Sequence, residues 1–273
     1  MNPIKLIADG GSTKTDWLFS CNDERIARFT TQGINPFMLD DKDIISILQK
    51  ELLAHPDFIL PNRIEFYGAG CAGAQCQRLE NCLHHAMPNV KNITVGSDLL
   101  GAAHALCYNA DGIACILGTG SNSGLFIKGE IIDNVSPLGY ILGDEGSGAS
   151  LGKRLVGDVL KKQLPADICE AFQAEYHLSA ADIIQRVYRE QLANRFLASF
   201  APFLFKHKER ECVEQLLIDE FCRFFKRNVN NYNRPDLSVS FVGSVAYYFK
   251  EELKKAASLC GFNVGSIKKS PLD

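Results

Sequence analysis

The stretch Ile4-Lys5-Leu6-Ile7-Ala8, followed by Asp9-Gly10-Gly11-Ser12-Thr13-Lys14-Thr15-Asp16 and then Trp17-Leu18-Phe19, is an apolar strand, a glycine-hydroxyl turn and a second apolar strand. The pattern returns about one domain later as Ile113-Ala114-Cys115-Ile116-Leu117, the loop Gly118-Thr119-Gly120-Ser121-Asn122-Ser123, and Leu125-Phe126-Ile127. Glycines in such turns permit positive φ and close approach of the backbone to a ligand. Successive N–H groups with Ser and Thr hydroxyls can then face phosphate oxygens. Either loop alone is also compatible with an ordinary Gly/Ser hairpin turn. Their recurrence points to a duplicated phosphate clamp. Neither is a P-loop, because Lys14 lacks the preceding Gly-x-x-x-x-Gly and the strand-to-helix setting.

The chain has 273 residues, 46% hydrophobic and 22% charged, enough for two domains with separate cores. Its net charge of −3 is scattered, with no basic stripe for a nucleic-acid backbone. No apolar run is long enough to span a bilayer and no charged n-region precedes an h-region, so no membrane partner is expected and the cytoplasm is the expected location. The ten cysteines contain no C-x-x-C pair, which argues against a zinc ribbon or a disulfide framework and for buried thiols.

The spacing predicts strands at Ile4 to Ala8, Asp16 to Ser20 and Arg25 to Thr30, a helix from Asp41 to Leu53, a strand at Arg63 to Tyr67, a helix from Ala74 to Ala86, a strand at Ile93 to Val95 and a helix starting near Asp98. Strands at Ile113 to Leu117, Ser123 to Ile127 and Glu130 to Asp133 reopen the pattern. A helical run from Gly148 to about Asn230, a strand at Ser238 to Val242 and a further helix follow. The order β-β-β-α-β-α thus occurs twice, dividing the chain at 1–107 and 108–273, with a helical insertion at about 157–229 in the second copy. Within the insertion, Phe196, Phe200, Phe203, Phe205, Phe221, Phe224 and Phe225 lie at spacings that suit core packing, and no chemistry is assigned to them.

These loops, the duplicated order and the run Leu138-Gly139-Tyr140-Ile141-Leu142-Gly143-Asp144-Glu145-Gly146-Ser147-Gly148 resemble the N-acetylglucosamine kinase branch of the sugar kinase, heat-shock ATPase and actin superfamily. That branch also holds ATPase activators of acyl-CoA reductases and dehydratases. The resemblance covers essentially the whole chain. It implies an α/β fold of two ribonuclease H-like (actin-like ATPase) domains with an interdomain cleft and a helical insertion in the second. It further implies ATP and Mg²⁺ as cofactors, an amino sugar as acceptor at its 6-hydroxyl, and a homodimer as a possible assembly.

By the same resemblance, Asp9 holds Mg²⁺ through water, and Gly11, Ser12, Thr13, Lys14 and Thr15 form the first phosphate loop. Gly118, Thr119, Gly120 and Ser121 form the second, and Gly243 with Ser244 lies beside adenosine. Asp98 is the implied general base, although a residue opening a helix is equally suited to N-capping. The acceptor sugar is implied to meet Asn35, Asp144, Gly139 and Tyr140, whereas Asn35 before Pro36 also suits a plain turn. The family continues past its last strand into a Gly-containing helix, where this sequence runs Ser270-Pro271-Leu272-Asp273.

Three other readings compete. Gly68-Ala69-Gly70-Cys71-Ala72-Gly73 matches the dinucleotide fingerprint of an NAD-dependent oxidoreductase, but a strand meander precedes it and Asp98 comes too late for the ribose carboxylate. An acyl-CoA enzyme activator needs cysteine thiolates at a shared surface for an iron–sulfur cluster, and Cys71 and Cys76 are the candidates. A sugar-sensing regulator of DNA lacks any helix-turn-helix segment or basic arm.

Overall fold

A computed structural model describes every residue except Met1, Asn2, Thr13, Asp23 and Asn109. The chain divides into two compact units, Met1–Ala105 and Leu106–Pro271. The first contains β1 (Ile4–Gly10), β2 (Lys14–Cys21), β3 (Glu24–Gln32), α1 (Asp41–Ile47), β4 (Arg63–Gly68), α2 (Ala74–Ala86) and β5 (Asn92–Ser97), followed by α3 (Asp98–Cys107). The expected helix from Asp41 to Leu53 is therefore shorter. It gives way to a π-helical turn at Leu48–Leu52, where Leu53 N bonds back to Leu48 O at 2.9 Å.

Strand order is β3-β2-β1-β4-β5, antiparallel across the first three strands and parallel from β1 through β4 to β5. This arrangement brings the carboxyl ends of β1, β4 and β5 to one edge, with Gly10 opposite Gly68 and Gly68 opposite Ser97. Fully buried Leu6, Trp17, Phe19 and Phe66 fill the core beneath it. The Trp17 indole, which needs a partner when buried, donates to Thr31 Oγ1 at 2.9 Å.

The second unit contains β6 (Gly112–Leu117), β7 (Ser121–Ile127), β8 (Glu130–Asp133), α4 (Gly139–Leu142), α5 (Gly148–Leu160), α6 (Ala166–Tyr176), α7 (Ala180–Tyr188), α8 (Ala193–Ala198), α9 (Ala201–Lys206) and α10 (Glu211–Arg227). It then runs through β9 (Val239–Val242), α11 (Ser244–Tyr248), α12 (Lys250–Leu259) and β10 (Val264–Lys268). Its sheet order is β10-β9-β6-β7-β8, again antiparallel across the hairpin strands and parallel between β6, β9 and β10. The two sheets correspond strand for strand.

Sequence spacing missed β10. Val264-Gly265-Ser266-Ile267-Lys268 is a part-buried edge strand without regular alternation, and a Cβ on Gly265 would stand 2.4 Å from Ser240 Oγ. The helical run beginning at Gly148 is several helices, and the two prolines that the sequence offers as breaks, Pro165 and Pro202, stand at the start of α6 and in the first turn of α9. Among the described residues, no helix is long and apolar enough to cross a membrane.

Candidate active site

The carboxyl edge of the first sheet carries Asp9 at the end of β1 and Asp98 just past β5, on either side of β4. In sheets of this type, strand carboxyl ends are where ligands bind. Burial, with the carboxylates of Asp16 and Asp98 nearby, pushes the Asp9 carboxyl up to about 6. Burial also raises Asp98, partly offset by the Leu99 N–H that its Oδ1 accepts at 2.8 Å. Asp98 thus takes one first-turn N–H of α3 but not the i to i+3 capping bond. Ser97 Oγ accepts from Leu100 N at 3.1 Å, three residues on, so the cap of α3 belongs to Ser97. Asp16 goes the other way: despite burial, bonds from Lys14 Nζ and Thr30 Oγ1, each at 2.6 Å, hold it below the ordinary range.

The first loop is a tight hairpin in which Gly11 N bonds Lys14 O at 2.8 Å. Ser12 is exposed, and Lys14 presents an exposed amine paired to Asp16. Thr13 lies outside the described residues. Thr15 is fully buried in β2, its hydroxyl accepting from Ile34 N at 3.0 Å, so its side chain braces the loop from beneath. Asn35 is also buried. Its amide donates to Ser12 Oγ at 2.7 Å and its oxygen accepts from Phe37 N at 2.9 Å, which ties the segment after β3 to the first loop.

In the second unit, the loop after β6 is seated on the N-terminus of α5. Gly148 N and Ala149 N donate to the carbonyls of Gly118 and Thr119 at 2.8 and 3.1 Å, and Ser147 caps the next free N–H, that of Ser150. With those carbonyls bonded to α5, the opposite side of the loop can present N–H groups. Asp144 is buried beside it with φ +53°, its Oδ1 accepting from Ser121 N at 3.2 Å. Gly120 leaves room for that carboxylate, which would stand 3.2–3.4 Å from any added Cβ. Burial raises the Asp144 carboxyl, against the opposing Ser121 bond. Gly139 and Tyr140 lie in the short helix α4, and Lys153 Nζ holds the Tyr140 carbonyl at 2.9 Å.

Gly243 follows β9 with φ +122°, and a Cβ there would come within 2.3 Å of Leu117 O, so only glycine fits against the loop after β6. Beside it, Gly118, Thr119, Ser244, Tyr248, Pro202 and Phe205 help to line a cavity of ≈ 410 Å³. Its size and apolar character suit an aromatic base. Sequence reading missed the contribution of the insertion. Five of its seven singled-out phenylalanines are fully buried, but Phe205 is 43% exposed and faces this cavity. Helical spacing alone does not distinguish the two environments.

Among solved structures, a candidate N-acetylglucosamine kinase of Porphyromonas gingivalis is 48% identical to this chain, with a TM-score of 0.94 over 98% of this chain and 95% of that one. The chain belongs to the N-acetylglucosamine kinase family. A candidate N-acetylglucosamine kinase of Chromobacterium violaceum, 16% identical, shares the fold at a TM-score of 0.75 over 99% and 96% of the two chains. The glucosamine kinase of Vibrio cholerae is 26% identical over 156 residues, 56% of this chain and 51% of that protein, so the match spans about half the length of that curated relative. No family profile matches the chain.

In this N-acetylglucosamine kinase family member, the first two of the fingerprint-like glycines have packing roles. A Cβ on Gly68 would stand 2.6 Å from the Phe66 ring and 3.1 Å from Gly10 O, and one on Gly70, at φ +78°, would collide with Asn35 Oδ1 at 2.0 Å. Gly68 thus stands at the end of β4 as Gly243 stands at the end of β9, each letting a parallel neighbour approach. Cys71 is packed in the first core at 2% exposure, with its thiol pushed up to about 12 by burial. That is the opposite of a thiolate at a shared surface.

Proposed function

We propose that this protein transfers the γ-phosphoryl group of ATP to the 6-hydroxyl of N-acetylglucosamine or a close amino sugar. The observation that carries the reading is Asp98. It is a carboxylate with raised proton affinity at the carboxyl edge of its sheet, and the i to i+3 capping bond of α3 is made by Ser97, so Asp98 is tied to the helix only through the Leu99 N–H that its Oδ1 accepts. A base of this kind accepts the hydroxyl proton as the sugar oxygen attacks phosphorus. The names of the Porphyromonas gingivalis and Vibrio cholerae relatives support an amino-sugar acceptor.

Asp9 has the donor chemistry for Mg²⁺: it is a hard oxygen ligand whose proton affinity is raised by burial and by two neighbouring carboxylates, a penalty that a cation relieves. Among the described residues, no group of three or more His, Cys, Asp or Glu converges as a metal site, which suits an ion held largely through water and phosphate. When bound with nucleotide, Mg²⁺ offsets phosphate charge. The loops Gly11 to Lys14 and Gly118 to Ser121 serve the phosphates, with Thr15 supporting the first from beneath and Gly243, Ser244 and the apolar cavity beside the second for adenosine.

Asn35, Gly139, Tyr140 and Asp144 serve the acceptor, Asn35 through its tie to Ser12 and Asp144 through its tie to Ser121. In this reading the domain 1–107 carries Asn35 and the first phosphate loop, and the domain 108–273 carries the second phosphate loop, the adenosine site, the other acceptor residues and the helical insertion. A cytoplasmic location and a homodimer complete the proposal, the latter testable by light scattering on the purified protein.

The deciding experiment measures ADP release from Mg-ATP with no sugar and with N-acetylglucosamine, N-acetylmuramic acid, glucosamine or glucose. Release that depends on one amino sugar, with formation of its 6-phosphate, is the expected result. Sugar-independent release, or none with any acceptor, overturns the proposal.

A further inference from the structure

Of the buried carboxylates outside the machinery described so far, two meet across one helix and one turn. Glu220 of α10 is fully buried, and Glu145, next to Asp144, is 4% exposed. A buried charge is costly unless it is paired and hydrogen-bonded. Both are satisfied by the same two elements with opposite polarity. Glu220 Oε1 accepts from Ser150 Oγ at 2.5 Å and Gly146 N at 3.4 Å, while Arg223 Nη1 meets its Oε2 at 2.9 Å. Seven residues further along α10, Arg227 Nε donates to Glu145 Oε1, and Asn228 Nδ2 reaches Glu145 Oε2 at 3.4 Å. Seven residues make two helical turns, about 10.5 Å, so positions 220 and 227 share one face of α10.

Between them, Gly146 is pressed onto the helix. It has φ +72°, and an added Cβ would stand 3.1 Å from Phe224 Cβ. The turn from Glu145 to Ser150 is therefore latched to α10 at two points, and a slip of the helix would break both. The other side of the same turn holds the second glycine loop, through Asp144 to Ser121 N and through the start of α5 to the Gly118 and Thr119 carbonyls.

We infer that Glu220 and Arg227 are positioning residues for the second phosphate loop, so that the long helix of the insertion sets nucleotide affinity without touching nucleotide. The inference rests on the reading of Gly118 to Ser121 as a phosphate loop. Arg227 is 56% exposed, so Arg227→Ala leaves no cavity in the core, but it strips buried Glu145 of its ion pair, and a thermal unfolding measurement on each variant confirms that the chain is folded under the assay conditions.

The test has two readouts on the full chain. The first is ADP affinity by calorimetry without sugar. Arg227→Ala weakens it about tenfold or more, because small misplacements of a binding group carry large penalties. Arg227→Lys, which keeps a cation opposite Glu145, restores most of the loss. Glu220→Ala behaves as Arg227→Ala does, and Glu220→Gln, which keeps an acceptor for Ser150, is milder. The second is amide hydrogen exchange in the nucleotide-free protein, expected to accelerate at Thr119 to Ser121 in Arg227→Ala but not in β9. Unchanged ADP affinity together with unchanged loop exchange overturns the latch. If wild-type protein binds no ADP, the phosphate-loop reading fails, and the exchange measurement alone then decides whether α10 holds the loop.

Discussion

Asp9 couples stability to function in a way that one substitution exposes. Its carboxyl is raised from the ordinary 3.8 to about 6 by burial and then by Asp16 and Asp98. The folded state therefore holds the Asp9 proton more tightly than the unfolded state. Between about pH 4 and pH 6, stability falls as pH rises, and above that window the ionised carboxylate leaves a constant penalty. A rise of about two pH units at ~1.4 kcal/mol each makes that penalty about 3 kcal/mol at pH 7, in order of magnitude.

Asp9→Asn removes the charge at nearly constant shape. It is expected to be more stable than wild type at pH 7 by up to about 3 kcal/mol and to lose that advantage towards pH 4, while losing phosphoryl transfer. Denaturant unfolding followed by the fluorescence of Trp17 suits the measurement. Trp17 is the only tryptophan and is fully buried in the first unit, the unit that contains Asp9. The difference between pH 7 and pH 4 cancels the packing effect of the amide itself. Equal pH dependence in wild type and Asp9→Asn would refute the electrostatic argument.

Three further outcomes are expected. Asp98→Asn keeps the bond from Leu99 N and should fold normally and bind nucleotide, with kcat lower by about 10²–10⁴; in wild type, kcat/KM should decline at acid pH as the raised Asp98 carboxyl takes up its proton. Near-normal turnover in Asp98→Asn would exclude it as the base. Gly243→Ala forces a side chain into Leu117 O at a positive φ and should cost at least about 2 kcal/mol in thermal or denaturant unfolding, with weaker nucleotide binding. Phe205→Ala, at a position already 43% exposed, should change the melting temperature little but raise KM for ATP about tenfold in steady-state kinetics, since a base loses its stacking surface.

The duplicated architecture was legible because both halves begin with a glycine loop bracketed by apolar runs, a local pattern at each copy. The β10 strand was not legible, since its pairing comes from register with β9 and not from its own alternation. The glycines at 68, 70 and 73 show how a local pattern misleads. Gly68 and Gly70 accommodate Phe66 and Asn35, contacts that spacing cannot reveal. Asp98 was legible in the sequence as either cap or base, and what the sequence could not show is that Ser97 makes the i to i+3 capping bond while Asp98 takes only the Leu99 N–H, an arrangement that exists once β5 and α3 are formed.

By itself, the sequence determined what adjacent residues can encode: strand and helix periodicity, the two glycine loops, and the acidic residues placed at strand ends. The tertiary structure decided which of those groups are buried, which are bonded within the protein and which stay open to a ligand. Burial turned Thr15 into a support, raised the proton affinity of Asp9, and left Phe205 exposed at a cavity while its neighbours in the sequence joined the core. These differences are set by desolvation and by partners far away in the chain, such as Glu145 and Arg227, whose meeting depends on the packing of α10 and not on any local preference.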